Sequence, residues 1–289
     1  MIAQHSDGMM EKPTIVCRLC SGRSRKVFSQ TLLRKYEVGY YQCDHCSSLQ
    51  TEDAYWLAEA YDSNLSYLDT GAAQRNLTNL AVCFFVSKLY KLRNIIDFGG
   101  GDGLLCRLLR DYGLNCFVRD KYAATTYAQG FTEADFQTAD LVLAFEVLEH
   151  FANPKEDLNQ VFALNARAVF VSTGIYRNEQ GDWWYLAPET GQHLFFYSRK
   201  ALDLIADKYG YGVLAKGNFI LFLRPDLQSP AKAALTKLML NRVMIRPLRS
   251  LIAFLPAPHA GTDRLLQKQN RRPARGVDPG ARRRVRQEP

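Results

Sequence analysis

With 289 residues, 47% of them hydrophobic and 12% aromatic, the chain has enough apolar material for one sizeable α/β domain with appendages, which excludes a protein disordered throughout. The net charge of +8 is unevenly placed: from Asp226 onward lie 14 of the 37 Lys/Arg and 4 of the 29 Asp/Glu, leaving a nearly neutral body of 23 against 25 whose preferences the isoelectric point does not report. No apolar run approaches the roughly 20 residues that span a bilayer and no basic start leads into an apolar stretch, so a cytoplasmic location is expected.

The first informative feature is a pair of matched turns, Cys17-x-x-Cys20 and Cys43-x-x-Cys46. Thiolates two residues apart on a tight turn reach one tetrahedral ion together, and the second turn completes four ligands. Seven cysteines are an odd number for a disulfide framework, and the paired spacing suits a metal in a reducing compartment. Short β-like stretches at Val27-Phe28 and Tyr40-Tyr41 predict a ribbon over residues 14–52 that is too small to fold without its metal, so the expected zinc is structural. Four thiolates leave no position open for water; His45 is the alternative ligand, and a redox pair the alternative use.

Residues 53–92 form a helical connector. Tyr55 to Tyr61 and Leu68 to Asn76 read as helical with a turn between them, and Leu77, Leu80, Cys83, Phe84, Val86 and Leu89 repeat at helical spacing, predicting a helix that covers one face of a sheet. Cys83, Cys106 and Cys116 are expected in the core.

A buried strand, Asn94 to Phe98, then runs into Gly99-Gly100-Gly101-Asp102-Gly103 and a Leu-rich helix. Ligands bind at such strand ends in open α/β sheets, because glycines allow close approach of the backbone and the first amides of the helix favour an electron-rich group. A dinucleotide fingerprint would place its third glycine at position 104, which is leucine. The next strand-like run, Asn115 to Arg119, ends in Asp120, whose carboxylate is placed to accept the hydroxyl hydrogens of a ribose. Further on, Asp140 to Phe145 reads as a fully buried strand, followed by Glu146-Val147-Leu148-Glu149-His150 and by Pro154 at the start of a helix.

The pattern Asp97, Gly99, Gly101, Gly103 resembles the first motif of class I S-adenosylmethionine-dependent methyltransferases, and Asp140 to Pro154 resembles their fourth. The resemblance covers roughly residues 14–225. It implies a Rossmann-like α/β fold with a mostly parallel seven-stranded sheet ending in an antiparallel hairpin. It implies S-adenosylmethionine as methyl donor, with Phe145 and Glu146 near the cofactor and His150 further along the rim. The cysteine pattern is similar to the zinc-binding N-terminal region that precedes some members acting on sugars and other small molecules. By that likeness the connector crosses the mouth of the cleft, where Tyr61, Tyr67 or Arg75 would touch the methionine end.

The rest of the predicted catalytic domain, 93–225, supplies a parallel strand at Ala168 to Ser172, a helix from Ser198 to Tyr209 capped by Ser198, and strands at Tyr211 to Lys216 and Asn218 to Leu223 whose short connection makes an antiparallel hairpin. The aromatic loop 176–196 has the character of an acceptor-specificity loop. Histidine is the side chain best suited to take a proton near neutrality, so His150 and His193 are the candidate bases, with Tyr176, Tyr185 and Glu189 as lesser acceptor-site candidates. Residues 226–270 form a basic amphipathic extension in which Ala231 to Leu255 read as a helix pair broken at Pro247, suited to an anionic membrane surface, a partner enzyme or the chain's own domain. Residues 271–289 read as an Arg-rich disordered tail. The expected function is methyl transfer to a small molecule or sugar. An RNA methyltransferase using ribbon and tail, or a non-catalytic cofactor-binding scaffold, are the rivals; the basic run is terminal and lacks an aromatic platform, which argues against nucleic acid.

Overall fold

The computed structural model describes residues 13–62 and 70–259, and contains two sheets. Tyr67, the stretch 63–69 of the connector, residues 260–270 of the extension and the tail 271–289 lie outside the described residues.

The first sheet has the order β1-β2-β3-β4-β9 and is antiparallel throughout: β1 Thr14–Val16, β2 Arg23–Leu32, β3 Tyr36–Cys43, β4 Leu49–Thr51 and β9 Phe195–Phe196. The β2–β3 hairpin is longer than the two short stretches the sequence suggested. Its turn carries left-handed Leu33 and Arg34 at φ 53° and 56°, with the Lys35 amide donating to Leu32 O at 2.9 Å. Both central residues of a type I′ turn need φ above zero, and Leu-Arg carries none of the usual Asn-Gly signal. An irregularity between Lys26 and Phe28 shifts the register. Because β9 comes from far along the chain, the ribbon does not close on itself. Arg18 fastens the two parts, donating to Leu194 O at 2.8 Å, Thr51 O at 3.1 Å and Ala152 O at 3.3 Å, while Ser198 Oγ donates to Cys46 O.

Helix α1, Leu57–Ala60, is a single turn, and α2, Ala72–Tyr90, is the predicted covering helix, with Leu80, Cys83, Phe84 and Val86 buried. The second sheet has the order β10-β11-β8-β7-β5-β6. Strands β5 Asn94–Phe98, β6 Asn115–Arg119, β7 Leu141–Phe145 and β8 Ala168–Ser172 are parallel; β10 Gly212–Lys216 and β11 Phe219–Leu223 form the antiparallel edge hairpin. The expected number of strands was seven; six are present among the described residues. The stretch 120–140, where a further outer strand would lie beyond β6, forms turns and bends. It lacks a run of β-branched residues, and it covers the edge differently. The Val118 amide donates to Phe131 O at 2.8 Å, and the Arg110 guanidinium lies 3.6 Å over the Phe131 ring. Of the helices α3 Leu104–Asp111, α4 Pro154–Phe162 and α5 Arg199–Tyr209, the last is capped by Ser198, whose hydroxyl accepts from Ala201 N at 3.0 Å. Cys83, Cys106 and Cys116 are fully buried, as expected.

The extension forms α6 Pro230–Met239 and α7 Arg242–Ala253. The break falls at Leu240-Asn241, where Asn241 caps α7, and Pro247 lies inside α7 rather than ending it. Both helices pack on their own domain: Tyr90 Oη meets Thr236 Oγ1 at 3.0 Å, Arg249 donates to Gln74 Oε1 at 2.6 Å, and Leu240 and Ile252 are buried. No helix among the described residues is long and apolar enough to cross a membrane.

Candidate functional site

The two cysteine turns are built alike. In the first, Ser21 N donates to Cys17 O at 2.9 Å and Cys17 N to Gly22 O at 2.7 Å; in the second, Ser47 N donates to Cys43 O at 3.0 Å and Cys43 N to Ser48 O at 2.9 Å. Ser21 and Ser47 are both left-handed, at φ 61° and 59°. Gly22 is required beside them, since a Cβ there would stand 2.9 Å from His45 Cβ and 3.1 Å from Cys43 Sγ. All four sulfurs lie within 4.8 Å of one another, with Cys17–Cys46 at 3.7 Å and Cys20–Cys43 at 3.5 Å. A zinc–sulfur bond of about 2.3 Å in a tetrahedron sets sulfurs about 3.8 Å apart, so the four cysteines fit a zinc ion closely. His45 is exposed and not part of the cluster.

The carboxyl ends of β5, β6, β7 and β8 place Gly99–Gly103, Asp120, Glu146 and Thr173 along one edge of the parallel sheet. Gly99, Gly101 and Gly103 have φ of 68°, 53° and 80°, so this turn needs residues without a Cβ. At Gly103 a Cβ would also meet Thr125 Oγ1 at 2.2 Å; at Gly101 nothing lies within 4 Å, leaving room for a ligand. Asp97 is buried beneath the turn, its carboxyl bonded by the amide of Cys106, the third residue of α3. Burial, then the charge of Asp120, pushes its pKa up to about 7, and its Oδ2 has no partner among the described residues. Asp120 Oδ2 accepts from Gly101 N at 2.9 Å, while Oδ1 accepts from Tyr122 N and Ala123 N at 2.8 and 2.7 Å. Oδ1 is therefore saturated, and Oδ2 keeps capacity for one further donor. The orphan carboxyl oxygen, the open glycine and this free lone pair suit the adenosyl cofactor that the resemblance implies.

Beyond the fourth strand end lies a cluster that the sequence did not assemble. Glu146, at φ 53°, accepts from Ser172 Oγ at 2.7 Å. Glu149 is fully buried, its Oε1 accepting from Tyr185 Oη at 2.6 Å and its Oε2 unpartnered. Burial, then the nearby Glu146, pushes its pKa up to about 8, against the Tyr185 hydrogen bond. Tyr185 lies on Gly174, where a Cβ would come within 2.3 Å of its ring. His150 and His193 stand edge to face, with ring centres 4.9 Å apart. His193 Nδ1 donates to Tyr185 O at 2.7 Å and His150 Nδ1 to Gln192 O at 3.1 Å, since a carbonyl can only accept. Burial lowers both imidazoles, His150 to about 4 with His193 adding to the effect.

Of the other candidates, Tyr61 Oη lies 3.3 Å from His150 Nδ1, and Phe145 packs edge-on against Phe170 and Phe219. Tyr176 is buried beside Trp183, and Glu189 is exposed. Arg75 lines a cavity of about 340 Å³ together with Glu146, Ser172, Lys216, Arg242 and Arg249. None of residues 99–103 lines that cavity. Sequence reasoning missed Ser172, Thr173 and the part of α7 that lines this cavity. Their only signal was position after a strand or on a basic helix.

A family model described as a methyltransferase domain matches residues 54–216. Among solved structures, the chain is similar to the methyltransferase domain of bacterial CtHen1-C, at 19% identity and TM-score 0.39 over 52% of this chain and 98% of that one. It is also similar to the magnesium protoporphyrin IX methyltransferase ChlM of Synechocystis PCC 6803, crystallised with S-adenosylhomocysteine, at 14% identity and TM-score 0.40 over 58% and 92%. A third is the O-methyltransferase NcsB1 of neocarzinostatin biosynthesis, at 16% and 0.37, of which the chain spans 49% while 46% of this chain is covered. No protein of curated function matches the chain in sequence.

Proposed function

Because the chain belongs to the methyltransferase-domain family, whose class I members use S-adenosylmethionine, we propose that it methylates a small molecule carrying an anionic group, with phosphorylated or carboxylated sugars the best fit. The observation that carries this reading is the cavity at the ends of β7 and β8, walled by Arg75, Lys216, Arg242 and Arg249 around Glu146. Four cations on so small a wall favour phosphate or carboxylate through charge-assisted hydrogen bonds.

In this reading Asp97, Gly99, Gly101, Gly103, Asp120, Phe145 and Glu146 hold the cofactor, which supplies a methyl group on a sulfonium. Asp120 Oδ2 takes a ribose hydroxyl, and the glycine turn lets the backbone approach the methionine end. His150 and His193 stand on the acceptor side and promote loss of the acceptor's proton. The zinc ribbon, 14–52, is structural and steadies the loop that carries His193 through β9. The connector, 53–92, borders the cleft, 93–225 is the catalytic domain, and 226–270 completes the acceptor wall.

The test is a panel of sugars offered as neutral, phosphorylated, carboxylated and nucleotide-linked forms, followed by release of S-adenosylhomocysteine. Turnover confined to the charged forms is expected. Replacing Lys216 and Arg242 together with alanine should raise acceptor KM at least tenfold and leave cofactor affinity unchanged; equal turnover of neutral sugars overturns the proposal.

A further inference from the structure

We infer that Glu149, His150 and His193 form a second metal site, distinct from the cysteine cluster, which takes a divalent first-row transition ion and seats an acceptor bearing two neighbouring oxygen atoms. One ligand atom from each of the three residues lies within 4.8 Å of the others. Glu149 is 0% exposed and its Oε2 has no partner among the described residues, although a buried carboxylate oxygen without one costs about 1–3 kcal/mol. A cation at this point would satisfy it.

The second atom of every ligand is already fixed. Tyr185 Oη holds Glu149 Oε1, Gln192 O holds His150 Nδ1, and Tyr185 O holds His193 Nδ1. This leaves Glu149 Oε2 and the two Nε2 atoms as the free donors. Metal-binding histidines characteristically give their other ring N–H to a carbonyl or carboxylate, which sets tautomer and ring orientation. The holding groups are themselves held: Gln192 Nε2 donates to Ala60 O at 2.7 Å, and Tyr185 is seated over Gly174. The order of support is that of a built site rather than of a chance grouping.

Two imidazoles and a carboxylate suit manganese, iron, cobalt or zinc better than calcium, which prefers oxygen alone. Three protein ligands also leave positions open, whereas the four thiolates of Cys17, Cys20, Cys43 and Cys46 close theirs. Glu149 is sealed from solvent but both histidines are half-buried, so the open positions are reached from the histidine side. Two open positions side by side select a chelating acceptor, such as a vicinal diol or a hydroxy acid, and an ion there makes a bound hydroxyl more acidic. The acceptor half of this inference rests on the methyl-transfer reading; the ion-binding half does not.

Manganese(II) prefers oxygen and nitrogen donors to thiolates, so it is titrated into zinc-loaded protein and the free ion followed by electron paramagnetic resonance. Expected is saturable uptake, weakened more than tenfold in Glu149→Gln and in His193→Gln, with the bound spectrum altered by added catechol. Zinc content and S-adenosylhomocysteine calorimetry on the same samples show that each variant is folded. If folded wild-type protein takes up neither manganese nor zinc beyond the cysteine site, or both variants bind as it does, the site is wrong. A bound spectrum indifferent to catechol removes the chelation half. Loss of S-adenosylhomocysteine binding by wild type would instead strike the donor-site reading and leave the ion result standing.

Discussion

In the six-stranded sheet every residue of β8 and four of the five in β7 are buried, and helices lie against it. In the five-stranded sheet, β2 alternates between exposed and covered positions over its first six residues, and the turns of the sheet converge on four sulfurs. The six-stranded sheet is held by apolar area removed from water, which needs no ligand. The five-stranded sheet has less such area, and what it has is shared with Tyr176, Tyr185, Leu194 and Phe196 of the catalytic part. One region can therefore fold on composition alone, while the other depends on an ion and on a borrowed strand.

The strongest challenge to that contrast is Cys43→Ser. Structural zinc in small modules is worth on the order of 10 kcal/mol, so zinc content should fall to a small fraction and amide exchange should quicken across 14–51 and 192–196. Protection in β5, β7 and β8 should remain; collapse of both sheets together would show that the division is false. A smaller effect sharpens how the parallel sheet holds its turn. Gly103→Ala combines a left-handed strain with a clash on Thr125, and about 2–4 kcal/mol of stability should be lost. Gly210→Ala, at φ 74° with nothing within 4 Å of the new Cβ, should lose only about 1 kcal/mol. Equal melting temperatures for the two variants would remove the packing part of the argument.

Next comes Asp120→Ala. It should weaken S-adenosylhomocysteine binding about tenfold, roughly 1.4 kcal/mol, in calorimetry, without disturbing zinc. Unchanged affinity sinks the ribose assignment. The last test is a pH slope. The carboxyl of Asp97 is held up to about 7, so the folded protein keeps a proton that the unfolded chain, near the ordinary 3.8, has lost. Its contribution is fully present below about pH 4 and disappears as pH rises through about 7, at up to roughly 1.4 kcal/mol per pH unit. Asp97→Asn should flatten urea-derived stability across that window relative to the parent; parallel curves would count against a buried neutral carboxyl.

The parallel sheet was legible because fully buried strands read as continuous apolar runs, and the glycines, Asp120 and the Glu-x-Leu-Glu-His string mark its functional edge. The missing outer strand was not legible from the resemblance. Its place is taken by a loop whose Phe131 covers β6 by stacking with Arg110. The hairpin was underestimated because Leu33 and Arg34 adopt a turn that sequence statistics assign to glycine and asparagine. His150 and His193 were recognisable singly. Their pairing with Tyr185 and Glu149 was not, because it depends on a long aromatic loop folding back over Gly174. The basic extension left a membrane surface, a partner and its own domain all open, because its charges are visible in sequence and its buried Leu240 and Ile252 are not.

Arg18 sits between the first pair of cysteines, yet its guanidinium ends on the carbonyls of Thr51, Ala152 and Leu194. A single side chain in the middle of a metal-binding turn thus gathers three distant stretches, the last immediately after His193. During synthesis the first cysteine turn emerges well before Ala152 and Leu194 exist, so this tether closes only after most of the six-stranded sheet's strands have been made. A chain deprived of its ion is expected to retain the donor half while protease cuts first between residues 183 and 193. Maturation by metal would then decide when the protein begins to work as well as how firmly it stands.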